Sequence, residues 1–594
     1  MIVPMKKVAI LCQPDRRESA LHRLQQAGLI HLTLAEVPAD DDLEQAQDRV
    51  HRLEQIVGAL EQPQTGEASS ADDMTAEQAA DRIWDLVQKM RKLQDRVQDL
   101  EQEKMRIEPW GYFDPHTVKT LAAYGVHLAL CRISVAQEPA LPAQTVWFLI
   151  NEDHNHRYLA VFSREEITPP GEEIKLPVQG LADIEQELGE LVEEKAGIGR
   201  EISSLSIYYP RIKELLARAR DTSSFLQAKA GMNILGPAAV VQGFIPEPSQ
   251  AAVRDLARQN SWGYRILDPG PEDNPPTLIR TPRWVRPIQA VFSLINIMPG
   301  YRETDISAPF LLFLSLFFAM IIGDAGYGAL FLTTIFLARR YLSRLQPEIF
   351  PFLLIMSLST VFWGLLTGHV FGTTPSGPFI SSLQIDWLTG PGSGDRLMLL
   401  CFVLGAVHLS LAHVWQMVLL WPSLRVLSQM GWLLLTWVMF FAARNLVLMH
   451  GFPDFAFGLL GIGLLLVGAF MRPLRAVPAH WTEYIRLPLD VISQFVDLVS
   501  YIRLFAVGAA TVAVAQAFNQ MALSLGFGGV LSSLGSAIIL LLGHSINIAL
   551  AAMGVLVHGV RLNTLEFASH AGITWSGTRF RPFALHSKGE EHGS

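Results

Sequence analysis

The chain has 594 residues, with 47 Lys and Arg against 56 Asp and Glu, and half of its residues are hydrophobic; that is too long for one ordinary core, so at least two structural units are expected. The mean hydropathy of +0.27 averages two unlike halves: charged helices, strands and Pro-rich connectors up to about residue 300, and long apolar runs from Ala308 to Ala571. A net charge of −9, carried largely by acidic helical segments before residue 220 and without basic stripes, speaks against a nucleic-acid partner.

The start, MIVPMKKVAILCQPDRRESA, lacks the apolar length and small-residue cleavage pattern of a signal peptide, so insertion is expected to come from later spans. Residues 5–36 read strand, helix, strand (KKVAILC, ESALHRLQQAG, LIHLTLAEV), a small α/β unit. From about 41 to 108 the sequence is helical and charged, and Leu86, Met90, Leu93, Val97 and Leu100 recur in steps of four and three. That is the seam of a coiled coil. The Gly/Ser-rich patch Gly66–Ser70 is expected to separate two helices of this arm.

Strand-like runs VHLALCRIS, TVWFLIN and RYLAVFS fall within about 110–180. A second arm at about 181–219 repeats the seam with Ile184, Leu188, Leu191, Ile198, Ile202 and Leu205, interrupted at Lys195. Two seams flanking a β-rich insertion predict an antiparallel coiled-coil hairpin with a globular tip. AAVVQGFIP and SQAAVRDLARQ then read as a second strand–helix pair. Residues 1–300 are therefore expected to be α+β: two small α/β lobes, about 1–40 with 220–270 and about 110–180, joined by an antiparallel coiled coil. Cys12, Cys131 and Cys401 are scattered without metal-ligand spacing and suit no disulfide framework, which fits a reducing side for this half.

Residues 301–594 read as an all-α membrane domain of about eight transmembrane helices. As one helix, Ala308–Ala338 would be about 45 Å long against a hydrocarbon core of about 30 Å. Gly323, Asp324 and Gly326 break it, so two short spans are expected there. Further runs lie at about 350–371, 396–420, 430–449, 455–471, 487–520 and 532–570, the last two unusually long. With eight spans, Arg339, Arg340 and Arg344, then Arg425, then Arg472, Arg475 and Arg486, then Arg579, Arg581 and Lys588 fall on one side, the inside. The loops at about 372–395 and 519–531 fall outside; Arg444 is the exception to the pattern.

No phosphate loop GxxxxGK[ST], HExxH, CxxC or nucleophile elbow is present, and GDAGYG at 323–328 lies in apolar sequence rather than after a soluble strand. No cofactor and no metal are expected, and any ATP is hydrolysed by another chain. What remains is charge inside apolar sequence, where the default readings are an ion path or an internal pair.

Arg503, in DLVSYIRLFAVGAATVAVAQAF, carries a charge that no physiological pH removes. A fixed cation facing a buried carboxylate on a partner would keep that carboxylate ionised as it passes. Arg561, in MGVLVHGVRLNTLEF, offers a second charge on the next helix. At helical spacing Asn547, Ala551, Gly554, His558 and Arg561 share one stripe, and the small residues at 551 and 554 would admit another helix closely.

Two readings of the arginines stand side by side here. On spans trimmed to about 20 residues both lie near the inner edge and could snorkel to lipid headgroups. Against that, Asp490, Gln494 and Asp497, with Ser500 beside them, extend a polar face ahead of Arg503 that suits water reaching in along a long helix; the bland alternative is an amphipathic interfacial turn. Asp324 reads as a cap for the second short helix. His369, His408, His413 and His544 could shuttle protons but read first as packing residues, whereas His558 stands a turn from Arg561. At 3.6 residues per turn Glu566 falls on the opposite side of its helix from Arg561, and is expected to pair elsewhere.

The chain also resembles a known family. SYIRLFAVGAA resembles the penultimate-helix motif of subunit I of bacterial and archaeal V/A-type ATPases, homologous to the a subunit of eukaryotic V-ATPases, and VRLNTLEFASHAGITWSGTRFRPF resembles its last-helix ending. PPTLIRTPRWVRPIQAV, MPGYRETDISAP, MIIGDAGYGALF and VVQGFIPEP are similar to other family segments, in the family's order.

The resemblance implies a stator: a cytoplasmic domain contacting peripheral stalks, and eight membrane helices, the last two long, tilted and curved against a rotor ring of c-type subunits. A soluble ATP-hydrolysing head and central stalk belong to the same complex, with membrane lipid around it. Arg503 would be the essential arginine between two aqueous half-channels for protons or sodium ions, with Arg561 as its companion. Asp490, Gln494, Asp497, Ser500, Asn547 and His558 are the half-channel candidates. The setting implied is a prokaryotic inner membrane, with the N-terminal domain and the C-terminus cytoplasmic.

Eukaryotic relatives carry a glutamate ten residues before the second arginine and a histidine eight after the first. This chain has Ala551 and Thr511 there, and Asp490 matches the family's early acidic residue only to within about one position. Two other functions compete: a secondary transporter with a cytoplasmic domain, which should show repeated halves, and a membrane tether for soluble partners, for which Arg503 would be dispensable.

Overall fold

A computed structural model of the chain describes residues 1–33, 40–60, 74–136, 145–164, 171–174, 179–339, 347–375, 377–472 and 481–586. The Gly66–Ser70 break, the end of LIHLTLAEV, and Arg340, Arg344, Arg475 and Lys588 of the charge pattern lie outside them.

In the first half, β1 (Met5–Cys12), α1 (Arg17–Ala27) and β2 (His31–Leu32) follow one another in the strand, helix, strand order read from the sequence. Two helical stretches follow, α2 (Asp41–Leu60) and α3 (Ala76–Ile107). Thr75 starts α3 with a reciprocal cap: its hydroxyl accepts from the Gln78 amide at 3.3 Å and the Gln78 side chain accepts from the Thr75 amide at 2.9 Å. After α4 (Pro115–Ala123) come β3 (His127–Ser134), β4 (Val146–Glu152), β5 (His156–Ser163) and β6 (Glu172–Ile174), a sheet of order β4-β5-β3-β6.

The chain returns through α5 (Leu181–Ser204) and α6 (Tyr209–Ala230) to β7 (Asn233–Leu235), β8 (Ala238–Pro246), α7 (Gln250–Gln259) and β9 (Gly263–Leu267). A second sheet has the order β2-β8-β1-β9, with β7 on β8.

Helices α3 and α5 run antiparallel, joined by Arg82–Glu201 at 2.6 Å, Lys89–Glu194 at 2.5 Å, Arg96–Glu187 at 2.7 Å and Lys104–Glu185 at 2.8 Å. As numbers rise on one helix they fall on the other. Exposed pairs of this kind contribute about 0.2–1 kcal/mol each, so the register is held mainly by apolar burial. Ile83 and Leu86 pack in one cluster with Ile198, Ile202 and Leu205, and Leu100 and Ile107 pack with Ile184 in another. Met90, Leu93 and Val97 of the expected seam are half-buried.

The chain divides into two compact units: Met1–Val8, Phe244–Arg258 and Tyr264–Arg581 make one, and Ala9–Gly243, Gln259–Gly263 and Pro582–Ser594 the other. The first contains every apolar run of the second half. There, α8 (Gln289–Leu294) precedes α9 (Ser307–Ile322) and α10 (Ala325–Leu337), which meet at a 118° bend. Gly323, at φ +67°, ends α9 in the left-handed region where a side chain is strained.

Asp324, 1% exposed, then caps α10. Its Oδ1 accepts from the amides of Gly326 (2.7 Å), Tyr327 (3.2 Å) and Phe371 (2.8 Å), and Oδ2 from Gly372 (2.7 Å). The cap read from the sequence thus also fastens the 371–372 loop.

α11 (Ile349–Thr367), α12 (Ser393–Leu420), α13 (Val426–Leu448) and α14 (Phe455–Phe470) follow, then α15 (Trp481–Val499), α16 (Ile502–Leu525) and α17 (Val530–Gly554). Among the described residues five helices are long and apolar enough to cross a membrane, counting 481–525 and 530–570 as one each; the bent pair α9–α10 makes a sixth, and α14 is a shorter apolar helix. Arg444, the cation out of pattern, sits near the end of α13, with Nη2 on the Gly451 carbonyl at 3.2 Å and its guanidinium over Phe441.

Candidate functional site

The long penultimate span expected over about 487–520 is present over 481–525, with one break inside it. α15 and α16 are separated at Ser500 and Tyr501, where the turn tightens: Arg503 N reaches Ser500 O at 3.2 Å and Leu504 N reaches Tyr501 O at 3.1 Å. In an unbroken α-helix the Leu504 amide would take Ser500 O. That carbonyl instead accepts the Arg503 Nε at 3.0 Å. Tyr501, fully buried, fixes the break from the other side, its hydroxyl 2.8 Å from His408 Nδ1. His408 is stacked between Phe313 and Phe567, with centroids at 3.9 and 4.3 Å, as a packing histidine should be.

The last span also departs from 3.6 residues per turn. After α17 the backbone forms two π segments, Val555–Gly559 and Leu562–Phe567. On an α-helix Arg561 and Glu566 would stand about 140° apart, whereas a π turn closes i onto i+5 and brings residues five apart together. The expectation that Glu566 stands on the opposite side of its helix from Arg561 is therefore overturned, whereas the expectation that it pairs elsewhere holds, its nearer partner being Arg503. Glu566 Oε1 accepts Arg503 Nη2 at 2.8 Å and lies 3.5 Å from Arg561 Nε. The carboxylate is 3% exposed, Arg503 24% and Arg561 50%. Two cations and one anion leave this cluster a net charge of +1.

Arg503 Nη1 makes no hydrogen bond among the described residues. Along α16 the same stripe continues in steps of three and four as Ala506, Ala510, Ala513 and Ala517, all exposed. On α17 and the π segment after it the exposed residues Ile546, Leu550, Met553 and Val557 repeat similarly. The opposite, small-residue face of α17 packs on α16: a Cβ on Gly554 would lie 2.8 Å from Val507 Cγ1, which is the close approach expected of positions 551 and 554.

The other candidates separate into two groups. Asp497 Oδ2 lies 3.2 Å from His570 Nε2, and His570 meets the His413 ring edge-on at 5.1 Å. Asp490 and Ser500 are half-buried, the Ser500 hydroxyl donating to Val496 O at 2.9 Å. His558, half-buried, has Nδ1 without a partner among the described residues.

Gln494 and Asn547, by contrast, are 1% exposed and tie helices together. Gln494 Nε2 donates to Thr436 Oγ1 at 2.7 Å and Trp432 O at 3.1 Å, and Asn547 Nδ2 to the Tyr327 hydroxyl and Thr511 O, both at 2.9 Å. Tyr327 OH also meets His544 Nδ1 at 2.7 Å. One residue from Arg503, a cavity of about 300 Å³ is lined by Gly323, Thr367, His369, Ser393, Leu504 and Gln516 among others. His570 and Glu566 are the two site residues that sequence reasoning did not place. Glu566 was visible as an ionisable group in an apolar run, but no sequence signal marked the π segments that turn it.

These helices define a multi-pass membrane protein whose last two spans hold a cluster of two arginines and one glutamate. The V-type ATP synthase subunit I 1 of Treponema pallidum (strain Nichols) is 30% identical over 98% of this chain and all of its own length. The V-type ATP synthase subunit I of Borreliella burgdorferi is 29% identical over 98% of this chain and 99% of its own. The A-type ATP synthase subunit I of Pyrococcus horikoshii is 25% identical over 70% of this chain and 63% of its own.

No protein-family model matches. A solved cytoplasmic N-terminal domain of subunit I, homologue of subunit a, of V-ATPase matches 44% of this chain and 99% of its own at 17% identity and a TM-score of 0.19, too loose a likeness to bear on the fold. The chain belongs to the V-type ATP synthase subunit I family, and other subunits of that rotary complex are its partners.

Proposed function

We propose that the chain is the membrane stator of a V/A-type rotary ATPase, providing ion half-channels beside a ring of c-type subunits and coupling proton or sodium translocation to ATP hydrolysis or synthesis elsewhere in the complex. The observation that carries this reading is Arg503 at the head of the exposed stripe Ala506, Ala510, Ala513 and Ala517. A small-residue face lets a partner helix approach closely in lipid, and the open Nη1 of a permanent cation at its end is what a ring carboxylate would meet.

Arg503 and Arg561 then act on the passing carboxylate. Asp490, Asp497 with His570, Ser500 and His558 line the inner route. The cavity beside Leu504, with His369, Ser393 and Gln516, serves the outer one. Gln494 and Asn547 act as struts between helices. Eight spans, with α9 and α10 as two of them, keep the arginine clusters inside, together with the N-terminal domain and the C-terminus, at a prokaryotic inner membrane. The antiparallel α3–α5 pair serves as the coiled coil between two lobes, about 1–40 with 220–270 and about 110–180, that engage the peripheral stalks. The soluble head and central stalk complete the motor.

The test is cross-linking in the assembled complex. Ala510→Cys on α16 and Leu550→Cys on α17 should each form cross-links to a ring subunit carrying a cysteine beside its membrane carboxylate. Failure of both, with Leu358→Cys on α11 cross-linking instead, would sink the reading.

A further inference from the structure

Resting on that reading, Glu566 has a role that neither the resemblance nor the relatives' names assign. An arginine in a membrane interior needs a counter-ion, yet a stator arginine wholly neutralised by its own chain could not hold a ring carboxylate. The geometry meets both demands. Glu566 Oε1 takes Nη2 of Arg503 at 2.8 Å, Ser500 O takes Nε at 3.0 Å, and Nη1 is left over. The guanidinium is thereby fixed at two of its three nitrogens.

Arg561 lies 3.5 Å from the same carboxylate oxygen, so a single anion is divided between two cations and the cluster carries +1. We propose that Glu566 is the positioning residue of the stator site: it orients Arg503 and sets the fixed charge to +1, which one ring carboxylate neutralises. With Glu566 neutral the charge would be +2, and the arriving carboxylate would be held too tightly to move on. With Arg561 neutral the charge would be 0, and it would be held too weakly to stay ionised.

A +1 charge set by Glu566 predicts a compensation that a packing role does not. Removing Glu566 and Arg561 together restores +1, with Arg503 still in place. The experiment compares ATP-driven ion pumping, per assembled complex, for Glu566→Gln, Arg561→Gln, the double variant Glu566→Gln/Arg561→Gln and the control Arg503→Gln, with assembly measured by co-purification of the ring and the soluble head. Each single variant should lose tenfold or more on the order of 1.4 kcal/mol or above in the barrier, and the double should pump several-fold faster than either single.

A double variant no better than the worse single, or Glu566→Gln pumping like the native complex, overturns the proposal. If Glu566→Gln alone fails to assemble, the double must both assemble and pump; a double that does neither, or assembles without pumping, overturns it too. Should Arg503→Gln itself pump normally, the stator reading falls rather than the role of Glu566 alone.

Discussion

Arg503 and Glu566 are 63 residues apart in sequence and 2.8 Å apart in space, and each is brought there by an irregular turn of backbone. The tightened turn at Ser500–Tyr501 aims the arginine, and the π segment Leu562–Phe567 rotates the glutamate towards it. π turns are rare and cluster at functional sites, and the pair that this one brings together is therefore the first to test by mutation. Removing one partner of such a buried pair costs about 3–5 kcal/mol, since it strands the other charge.

Asp324 is expected to be indispensable for structure. Asp324→Ala would leave the amides of Gly326, Tyr327, Phe371 and Gly372 without their acceptor, at about 1–3 kcal/mol for each one buried. Asp324→Asn keeps one carbonyl oxygen and should be milder. The thermal stability of the purified complex should fall in the order native, Asn, Ala; equal stability of native and Ala would contradict the assignment.

Gln494 should behave as a strut. Gln494→Leu removes its bonds to Thr436 and Trp432, and interhelical hydrogen bonds in membranes contribute about 0.6–1.7 kcal/mol. A lowered unfolding temperature with pumping per assembled complex close to native is expected. Lost pumping at unchanged stability would return Gln494 to the ion route.

The charges of the candidate site were legible in the sequence, but their geometry was not. Arg503 and Arg561 stand out because charge in apolar sequence is conspicuous. Gly323 and Asp324 announce a helix break because glycine and a capping carboxylate have local reasons to sit there. The strand runs around 127–163 show themselves by composition, and they pair as β3, β4 and β5. Glu566 was misplaced because face assignments assume 3.6 residues per turn, and two π segments shift every residue after Val555. The break before Arg503 was missed for a similar reason: VDLVSYIRLF contains no Gly or Pro, and the turn is set by Tyr501 anchoring to His408, a contact between helices 93 residues apart.

Outside the membrane spans, Glu303 holds the segment after α17. Its Oε1 accepts the Thr574 amide at 2.9 Å, and Oε2 the Gly300 amide at 2.6 Å. Burial alone would raise its pKa, but the bonds from Thr574 and Gly300 outweigh that and hold it below the ordinary 4.5. A depressed carboxyl stabilises the fold above its unfolded-state pKa, and that contribution is lost as the pH falls through the lower, folded value. Hydrogen exchange at Thr574–Gly577, corrected for intrinsic rates, should therefore stay slow down to 4.5 and quicken below it. Glu303→Gln should remove the acid step; a step that persists in this variant would contradict the assignment.

The thiols of the first half should be inert. Burial, with Glu173 adding to it, pushes Cys131 up to about 11, and burial raises Cys12 as well. Since the thiolate is the reactive form, maleimide at neutral pH should label neither until the chain is unfolded. Rapid labelling of Cys131 in the native protein would contradict its place in the sheet.

The most direct measurement is ATP-driven ion pumping by Arg503→Gln in the assembled complex. Pumping abolished, with the ring, the stalks and the soluble head still bound, is the predicted result. Native-level pumping in an intact complex would contradict the role of the arginine and of the cluster built around it.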